Sequence, residues 1–160
     1  MRRVIPIHAP IPKPRVLAIA SGGGHWVQLL RIMRPMPEFE VTYVTTIASY
    51  RSQVPDNRFY VVPDANRWNK LRLLWMALKL LLVVLRERPV AVVTTGAAPG
   101  YFGLRFARWL GAKTIWVDSI ANAEELSLSG KQAGKFADLW ITQWPQLAAD
   151  GGPKYFGAVL

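Results

Sequence analysis

The chain has 160 residues, 51% hydrophobic and 19% charged, and no cysteine. That length and composition suit one domain with a substantial core and exclude a disordered chain; the missing cysteines exclude disulfides, thiolate metal sites and a cysteine nucleophile, without fixing the compartment. Twenty Lys and Arg against ten Asp and Glu leave a formal charge of +10, which favours an anionic partner such as nucleic acid, an acidic membrane surface or a phosphorylated substrate.

In chain order, the opening "MRRVIPIHAPIPKPR" carries four prolines and no continuous apolar core. It does not read as a signal peptide, and residues 1–14 are expected to form an extended Pro-rich arm in which His8 has no role. One domain is expected over 15–160. "RVLAIA" (15–20) reads as a buried strand. Trp26, Leu29, Leu30 and Met33 then fall at helical spacing from His25 onward, until Pro35 and Pro37 stop the helix. "EVTYVTTI" (40–47) and "RFYVVP" (58–63) read as strands, and a long apolar and basic stretch covers 66–88. "VAVVTTG" (90–96) is a buried strand, and Pro99 opens a helix that runs through Trp109 and closes at Gly111. "KTIWVDS" (113–119), "ADLWITQ" (137–143) and "KYFGAVL" (154–160) complete the set of strands, with a linker-like piece at 145–153. Strands alternating with helices predict an α/β fold, a Rossmann-like parallel sheet with right-handed crossovers and helices on both faces, and the remaining length leaves no room for a second such domain.

The stretch "AIASGGGHWVQLL" (18–30) places a Gly-rich turn between a strand and a helix. Such a turn presents free backbone N–H groups and the positive end of a helix dipole at the carboxyl edge of the sheet, where ligands of open α/β sheets bind. Two standard phosphate signatures fail: a dinucleotide fingerprint from Gly22 needs glycine where Val27 stands, and a Walker loop needs Gly-Lys-Ser/Thr where His25-Trp26 stands. His25 begins the helix. It is either a partly exposed helix-start residue or a hydrogen-bond donor or base beside a bound phosphate or hydroxyl. "TTGAAPGYFG" (94–103) repeats the strand, glycine turn and helix, with Gly96, Pro99 and Gly100 at a second mouth on the same edge. A third mouth begins at Asp118-Ser119. Asp118 is placed either to accept from a sugar hydroxyl, to orient a catalytic group, or to cap a turn. Glu124 and Glu125 are adjacent and do not read as a catalytic pair.

In "NRWNKLRLLWMALKLLLVVLRERP" (66–89), Arg72, Lys79 and Arg86 recur every seven residues as a basic stripe on a helix apolar around most of its circumference, and Lys79 interrupts the run that a transmembrane span would need. The segment is either a core helix, an interfacial helix with Lys and Arg at anionic headgroups, or both; partial membrane contact is the favoured reading, through Trp68, Arg72, Trp75, Lys79, Leu82 and Arg86.

Together "ASGGGHWVQLL", "TTGAAPGYFGLRFARWLGAKTIWVDSIANAEELSLSGK", "ADLWITQWPQL" and "KYFGAVL" resemble, in order over most of 15–160, the acceptor-side, membrane-recruiting subunits of two-part glycosyltransferases. These include the PssD-like polysaccharide biosynthesis proteins, and they are similar to the N-terminal half of MurG-type GT-B enzymes. The resemblance implies that this half binds a polyprenyl-pyrophosphate-linked acceptor at the cytoplasmic face of the membrane, as a peripheral or monotopic subunit. A separate catalytic, PssE-like subunit would then bind the nucleotide sugar, a UDP-sugar. It implies no tightly bound cofactor or metal, and little activity from this chain alone. Carried over residue by residue, Ser21, Gly22, Gly23, Gly24 and His25 would lie at the acceptor pyrophosphate and attacking hydroxyl, with His25 catalytic. Gly96, Pro99 and Gly100 would form the neighbouring loop, and Asp118 and Ser119 the third; relatives often carry glutamate in place of Asp118 and two glycines rather than three in the first loop. The rival readings are a non-catalytic membrane scaffold for a catalytic subunit, a standalone anion- or nucleotide-binding Rossmann domain, and a nucleic-acid module, which lacks any readout motif.

Overall fold

A computed structural model of the chain describes residues 12–66 and 68–159. Most of the N-terminal arm, His8 with it, and Arg67 and Leu160 lie outside the described residues. Seven parallel strands form one sheet in the order β3-β2-β1-β4-β5-β6-β7. In chain order the elements are β1 (Arg15–Ile19), α1 (Gly24–Met33), β2 (Glu40–Thr45), β3 (Arg58–Val61), α2 (Lys70–Glu87), β4 (Ala91–Thr94), α3 (Ala97–Trp109), β5 (Lys113–Val117), α4 (Leu128–Ala133), β6 (Leu139–Thr142) and β7 (Lys154–Tyr155). The chain builds outward from β1 to β3, then returns through α2 to set β4 on the other side of β1. The strand order therefore reverses between β1 and β4. These two run in register from Val16↔Ala91 to Ile19↔Thr94, so the loops that follow them leave the sheet side by side.

The expected Rossmann-like sheet with helices on both faces is the architecture observed. The period-2 alternation of β1 explains the two layers. Val16, Ala18 and Ala20 face α1, packing with Trp26, Leu29, Leu30 and Met33. Leu17 and Ile19 face the other way, into Met76, Leu80, Val83 and Val84 of α2 and Ala107 of α3. Helix α3 comes so close that a Cβ on Gly103 would overlap Ile19 Cδ1. Beyond α1, the sheet face over β4–β6 is roofed by residues 156–159, above an apolar pocket of about 300 Å³.

At the amino edge of the sheet, charges tie strands to α2. Glu40 pairs with Arg15 at 3.4 Å and with Arg58 at 3.1 Å. Glu87, only 2% exposed, accepts from Arg58 Nη1 at 2.7 Å and from the Tyr60 hydroxyl at 2.6 Å. Burial alone would push the Glu87 carboxyl up, but hydrogen bonds from Tyr60 and Arg58 and the charges of Arg58 and Arg15 outweigh it and hold the group below its usual range.

Several sequence expectations change in detail. The 66–88 segment is helical only from Lys70, because the Asn69 side chain accepts from Arg72 N–H at 3.0 Å and caps the first turn. It ends where Arg88 turns left-handed (φ 44°) before Pro89. The helix is apolar around most of its circumference, as expected, but its two faces differ in burial. Met76, Leu80, Val83, Val84 and Glu87 are buried, whereas Leu71, Leu74, Trp75, Leu78, Leu82 and Leu85 are exposed. The last strand is Lys154–Tyr155 alone, with 156–159 running on outside the sheet. Inside the Asp118 loop lies α4, capped where Ser127 Oγ accepts from Gly130 N–H at 2.9 Å. The linker-like piece contains a 3-10 turn at Pro145–Leu147, and another spans Ala48–Gln53.

Candidate functional site

The reversal point between β1 and β4 is where an open α/β sheet leaves a crevice at its carboxyl edge. Both glycine-rich mouths lie there. After β1, Gly23 takes a left-handed φ of 67°, which only glycine adopts freely, and α1 starts at Gly24. After β4, Gly96 takes φ 125° and α3 starts at Ala97, itself at φ 63°. A left-handed alanine costs about 1–2 kcal/mol, so this mouth carries backbone strain of the sort that collects at functional sites.

His25 joins the two mouths. Its Nδ1 lies 2.7 Å from the Thr95 carbonyl oxygen, and Thr95 Oγ1 donates back to the His25 carbonyl at 2.7 Å. A carbonyl only accepts, so Nδ1 carries the proton and Nε2 is the ring nitrogen left with a lone pair in the neutral form. Nε2 has no partner among the described residues. Gly96 makes this approach feasible, since a Cβ there would sit 3.0 Å from His25 Cε1 and 3.2 Å from Nδ1.

The first turns of α1 and α3 leave backbone donors unpaired, as helix starts do. Gly23 N–H is taken by the Tyr50 hydroxyl at 3.0 Å, and Gly96 N–H by Thr94 Oγ1 at 3.1 Å. The N–H groups of Gly24 and His25, and of Ala97 and Ala98, have no partner among the described residues. Four donors and two helix dipoles thus meet at one crevice, an arrangement suited to an anion with more than one charged oxygen. Tyr50 was not singled out from sequence. It stacks on the buried Trp26 at 5.1 Å and braces the first mouth; only its place in a short 3-10 turn brings it there.

The other expected site residues divide. Ser21 and Gly22 line the first mouth, half-buried; the Ser21 carbonyl accepts from Thr45 Oγ1 at 3.3 Å. Pro99 and Gly100 are buried, and a Cβ on Gly100 would overlap Thr94 Oγ1, so Gly100 serves the packing that lets Thr94 brace Gly96. Asp118 is 2% exposed and Ser119 6%. Asp118 Oδ1 accepts from Ser119 N–H at 2.9 Å and Asn122 Nδ2 at 2.6 Å, and Oδ2 from the Ser127 N–H and hydroxyl, both at 3.2 Å. Of the three roles open to it from sequence, this geometry fits the turn-organising one: both carboxylate oxygens accept within its own loop. Gln28 and Gln143, both buried, hold the same loop from outside. Buried amides in an apolar helix and at a strand end were the signal in the sequence.

Behind the second mouth, Ala98, Tyr101 and Phe102 of α3 form a groove of about 530 Å³ with Leu73 of α2 and Leu128 of α4. The exposed face of α2 adjoins Leu73. Trp68, just before the helix, is 81% exposed, and Leu71 and Leu74 are 82% and 67% exposed. Of the residues expected at lipid, Trp75, Leu82, Arg72 and Arg86 are also exposed and Lys79 half-exposed, its Nζ 5.4 Å from the Trp75 ring centre. Among the described residues, no helix is long and apolar enough to cross a membrane.

In overall shape the chain is similar to MurG of Acinetobacter baumannii, with a TM-score of 0.71 at 16% identity, over 88% of this chain and 47% of that one. It is also similar to a UDP-N-acetylglucosamine 2-epimerase from Rickettsia bellii, with a TM-score of 0.65 at 14% identity, over 84% of this chain and 40% of that one. These likenesses carry the fold, one half of a GT-B architecture. Two curated relatives are each named "UDP-N-acetylglucosamine transferase subunit ALG14". That of Yarrowia lipolytica is 36% identical over 72 residues, 41% of this chain and 33% of the relative. That of Eremothecium gossypii is 43% identical over 49 residues, 30% of this chain and 22% of the relative. The matched stretches thus span a third or less of the relatives' own length. The model of the family described as "Oligosaccharide biosynthesis protein Alg14 like" matches residues 68–159, more than half of the chain, and the chain belongs to that family.

Proposed function

We propose that this chain is the acceptor-side subunit of a two-chain GT-B glycosyltransferase. It would hold a polyprenyl-pyrophosphate-linked acceptor at the cytoplasmic membrane face, while a partner subunit of the PssE-like kind brings a nucleotide sugar, with UDP-N-acetylglucosamine the donor that the relatives' names favour. The product would be a lipid-linked oligosaccharide or polysaccharide precursor. The observation that carries this reading is His25 held between two glycine-rich helix starts at the point where the strand order reverses, in a chain of the Alg14-like family.

The amides of Gly24, His25, Ala97 and Ala98 bind the acceptor pyrophosphate. His25 Nε2 takes the proton of the acceptor hydroxyl as that oxygen forms a bond to the donor's anomeric carbon, and the bond to the nucleoside diphosphate breaks with its electron pair leaving on the phosphate oxygen. Thr95 O fixes the ring in the tautomer this needs. The groove of Leu73, Ala98, Tyr101, Phe102 and Leu128 receives the first part of the lipid, and the exposed face of α2 rests on the bilayer with its basic stripe at the headgroups.

The test is sugar transfer to a polyprenyl-pyrophosphate acceptor by each chain alone and by both at a membrane. Activity only with both is expected. His25→Ala in the assembled enzyme is expected to lower turnover about 100-fold or more without preventing assembly. Wild-type turnover in that variant would leave the scaffold reading, in which this chain only recruits its partner.

A further inference from the structure

Three residues past His25 on α1, Gln28 is 5% exposed and is the hub of a buried polar chain. Its Oε1 accepts from Ile120 N–H at 3.2 Å and from Gln143 Nε2, and its Nε2 donates to Ser119 Oγ at 3.4 Å. Gln143, 2% exposed, also donates through Nε2 to the Asp118 carbonyl at 2.9 Å, while its Oε1 accepts from Val159 N–H at 2.8 Å. Two neighbours reach the same loop: Trp144 Nε1 donates to the Ile120 carbonyl at 2.7 Å, and Gln146 Nε2 to the Ala123 carbonyl at 2.9 Å. With Asp118 organising the loop from inside, residues 118–123 are gripped from both sides.

The direction of this chain is set by two backbone groups. Ile120 N–H only donates, so Gln28 must present its oxygen; the Asp118 carbonyl only accepts, so Gln143 must present its nitrogen. Packing does not require either amide, because Trp26, Leu29, Leu30 and Met33 already seat α1 on the sheet. A buried amide with a missing partner is costly, whereas an apolar side chain of the same size is not. The polarity therefore buys placement: it ties the third mouth to the helix that carries His25.

We propose that Gln28 and Gln143 are positioning residues that lock loop 118–123 against α1, so that an acceptor bound across the three mouths meets His25 at a fixed distance. The proposal rests on the acceptor-side reading above and adds to it a device for orientation.

Two isosteric substitutions separate this role from volume or burial. Gln28→Glu keeps both accepted bonds, and the Ser119 hydroxyl turns to donate, so its loss is that of the buried charge alone and is expected to be at least about threefold smaller than that of Gln143→Glu. Gln143→Glu places a carboxylate against the Asp118 carbonyl and Gln28 Oε1, both acceptors. It is expected to lower kcat/KM for the acceptor about ten- to a hundredfold with KM for the donor unchanged, the scale of loss that misplacement produces. Gln143→Met, which removes the whole amide (the donor, and also the acceptor of Val159 N–H) without adding charge, is expected to show the same split if Gln143→Glu does not fold. Equal effects of the two Glu variants, or parallel loss of donor and acceptor terms, would overturn the proposal. Amide exchange in the full chain is the second readout: faster exchange at 118–123, beside that of Val159 whose acceptor is Gln143 Oε1, is expected in Gln143→Met and not in Gln28→Glu, and unchanged exchange at 118–123 would also overturn it. If the wild-type pair transfers no sugar, the acceptor-side reading fails on its own, and exchange still decides the positioning.

Discussion

Gly96→Ala puts the link between the two mouths to a direct test. The substitution meets two separate costs. At φ 125° and ψ −164° an L-residue is outside its ordinary regions, a strain of about 1–3 kcal/mol. The new Cβ would also lie 3.0 Å from His25 Cε1 and 3.2 Å from Nδ1, so the ring has to move and the 2.7 Å bond to the Thr95 carbonyl is lost, a further ~1 kcal/mol. A destabilisation of about 3 kcal/mol is expected in urea unfolding of the chain. The cycle with His25→Ala isolates the second cost. With the ring gone the Cβ has room, so the double variant is expected to be about as stable as Gly96→Ala alone, a coupling of about 1 kcal/mol. Strict additivity of the two substitutions would refute the contact, and a loss below ~0.5 kcal/mol for Gly96→Ala would refute the backbone argument as well.

The depressed Glu87 carboxyl gives stability that is full above the unfolded carboxyl's pKa of about 4.3 and is lost as pH falls through the lower folded value. Tyr60, raised by burial and by its bond to Glu87, works in the opposite direction: its contribution is full below about pH 10 and lost as pH rises through the folded value. Glu87→Gln is expected to cost about 2 kcal/mol at pH 7 and to flatten the acid limb of a stability–pH curve; an unchanged acid limb would count against the geometry. On α2, Leu78→Asp is expected to leave unfolding free energy within about 0.5 kcal/mol of wild type and to weaken sedimentation with anionic vesicles at least tenfold, the value of burying one leucine. Unfolding by Leu78→Asp, or unchanged vesicle binding, would remove α2 from the membrane.

The alternation of apolar strands and amphipathic helices was enough to read the layer order, because β1, β4 and β5 are buried on both faces and carry a signal that packing later enforces. His25, Gly96 and the pairing of the first two mouths were legible for the same reason: glycine and histidine between periodic segments have few other uses. The role of Asp118 was not legible as a single reading. An aspartate at a strand end serves a ligand or its own loop equally well on paper, and only the four donors arriving from Ser119, Asn122 and Ser127 decide it. Tyr50 escaped because a six-residue 3-10 turn has no periodicity to announce it. That α2 has one covered and one open face was one of the readings, with Trp75 and Leu82 on the open side; the full division was not legible, because leucine looks the same against a core and against solvent, and Met76 and Leu80 differ from Leu74 and Leu78 only in which way the capped helix is turned.

That turn of α2 connects the two ends of the sheet. At the amino edge, Arg15, Glu40, Arg58, Tyr60 and Glu87 are mutually paired, and the last turn of α2 is bound into them. At the carboxyl edge, donors are left unpaired, the backbone takes positive φ at Gly23, Gly96 and Ala97, and it is strained at Ala97. The helix runs from the second edge to the first; Met76, Leu80, Val83 and Val84 on the core and Glu87 in the paired edge together hold its rotation, which leaves Leu71, Leu74 and Trp75 outward. A buried carboxylate far from the crevice thus adds to the packing that decides which apolar residues of α2 face outward. Under the acceptor-side reading, a lipid that keeps its chain against that face brings its pyrophosphate to Gly24 and Ala97 without leaving the bilayer. Loosening Glu87 is then expected to weaken vesicle binding and folding together, whereas Leu78→Asp weakens binding alone.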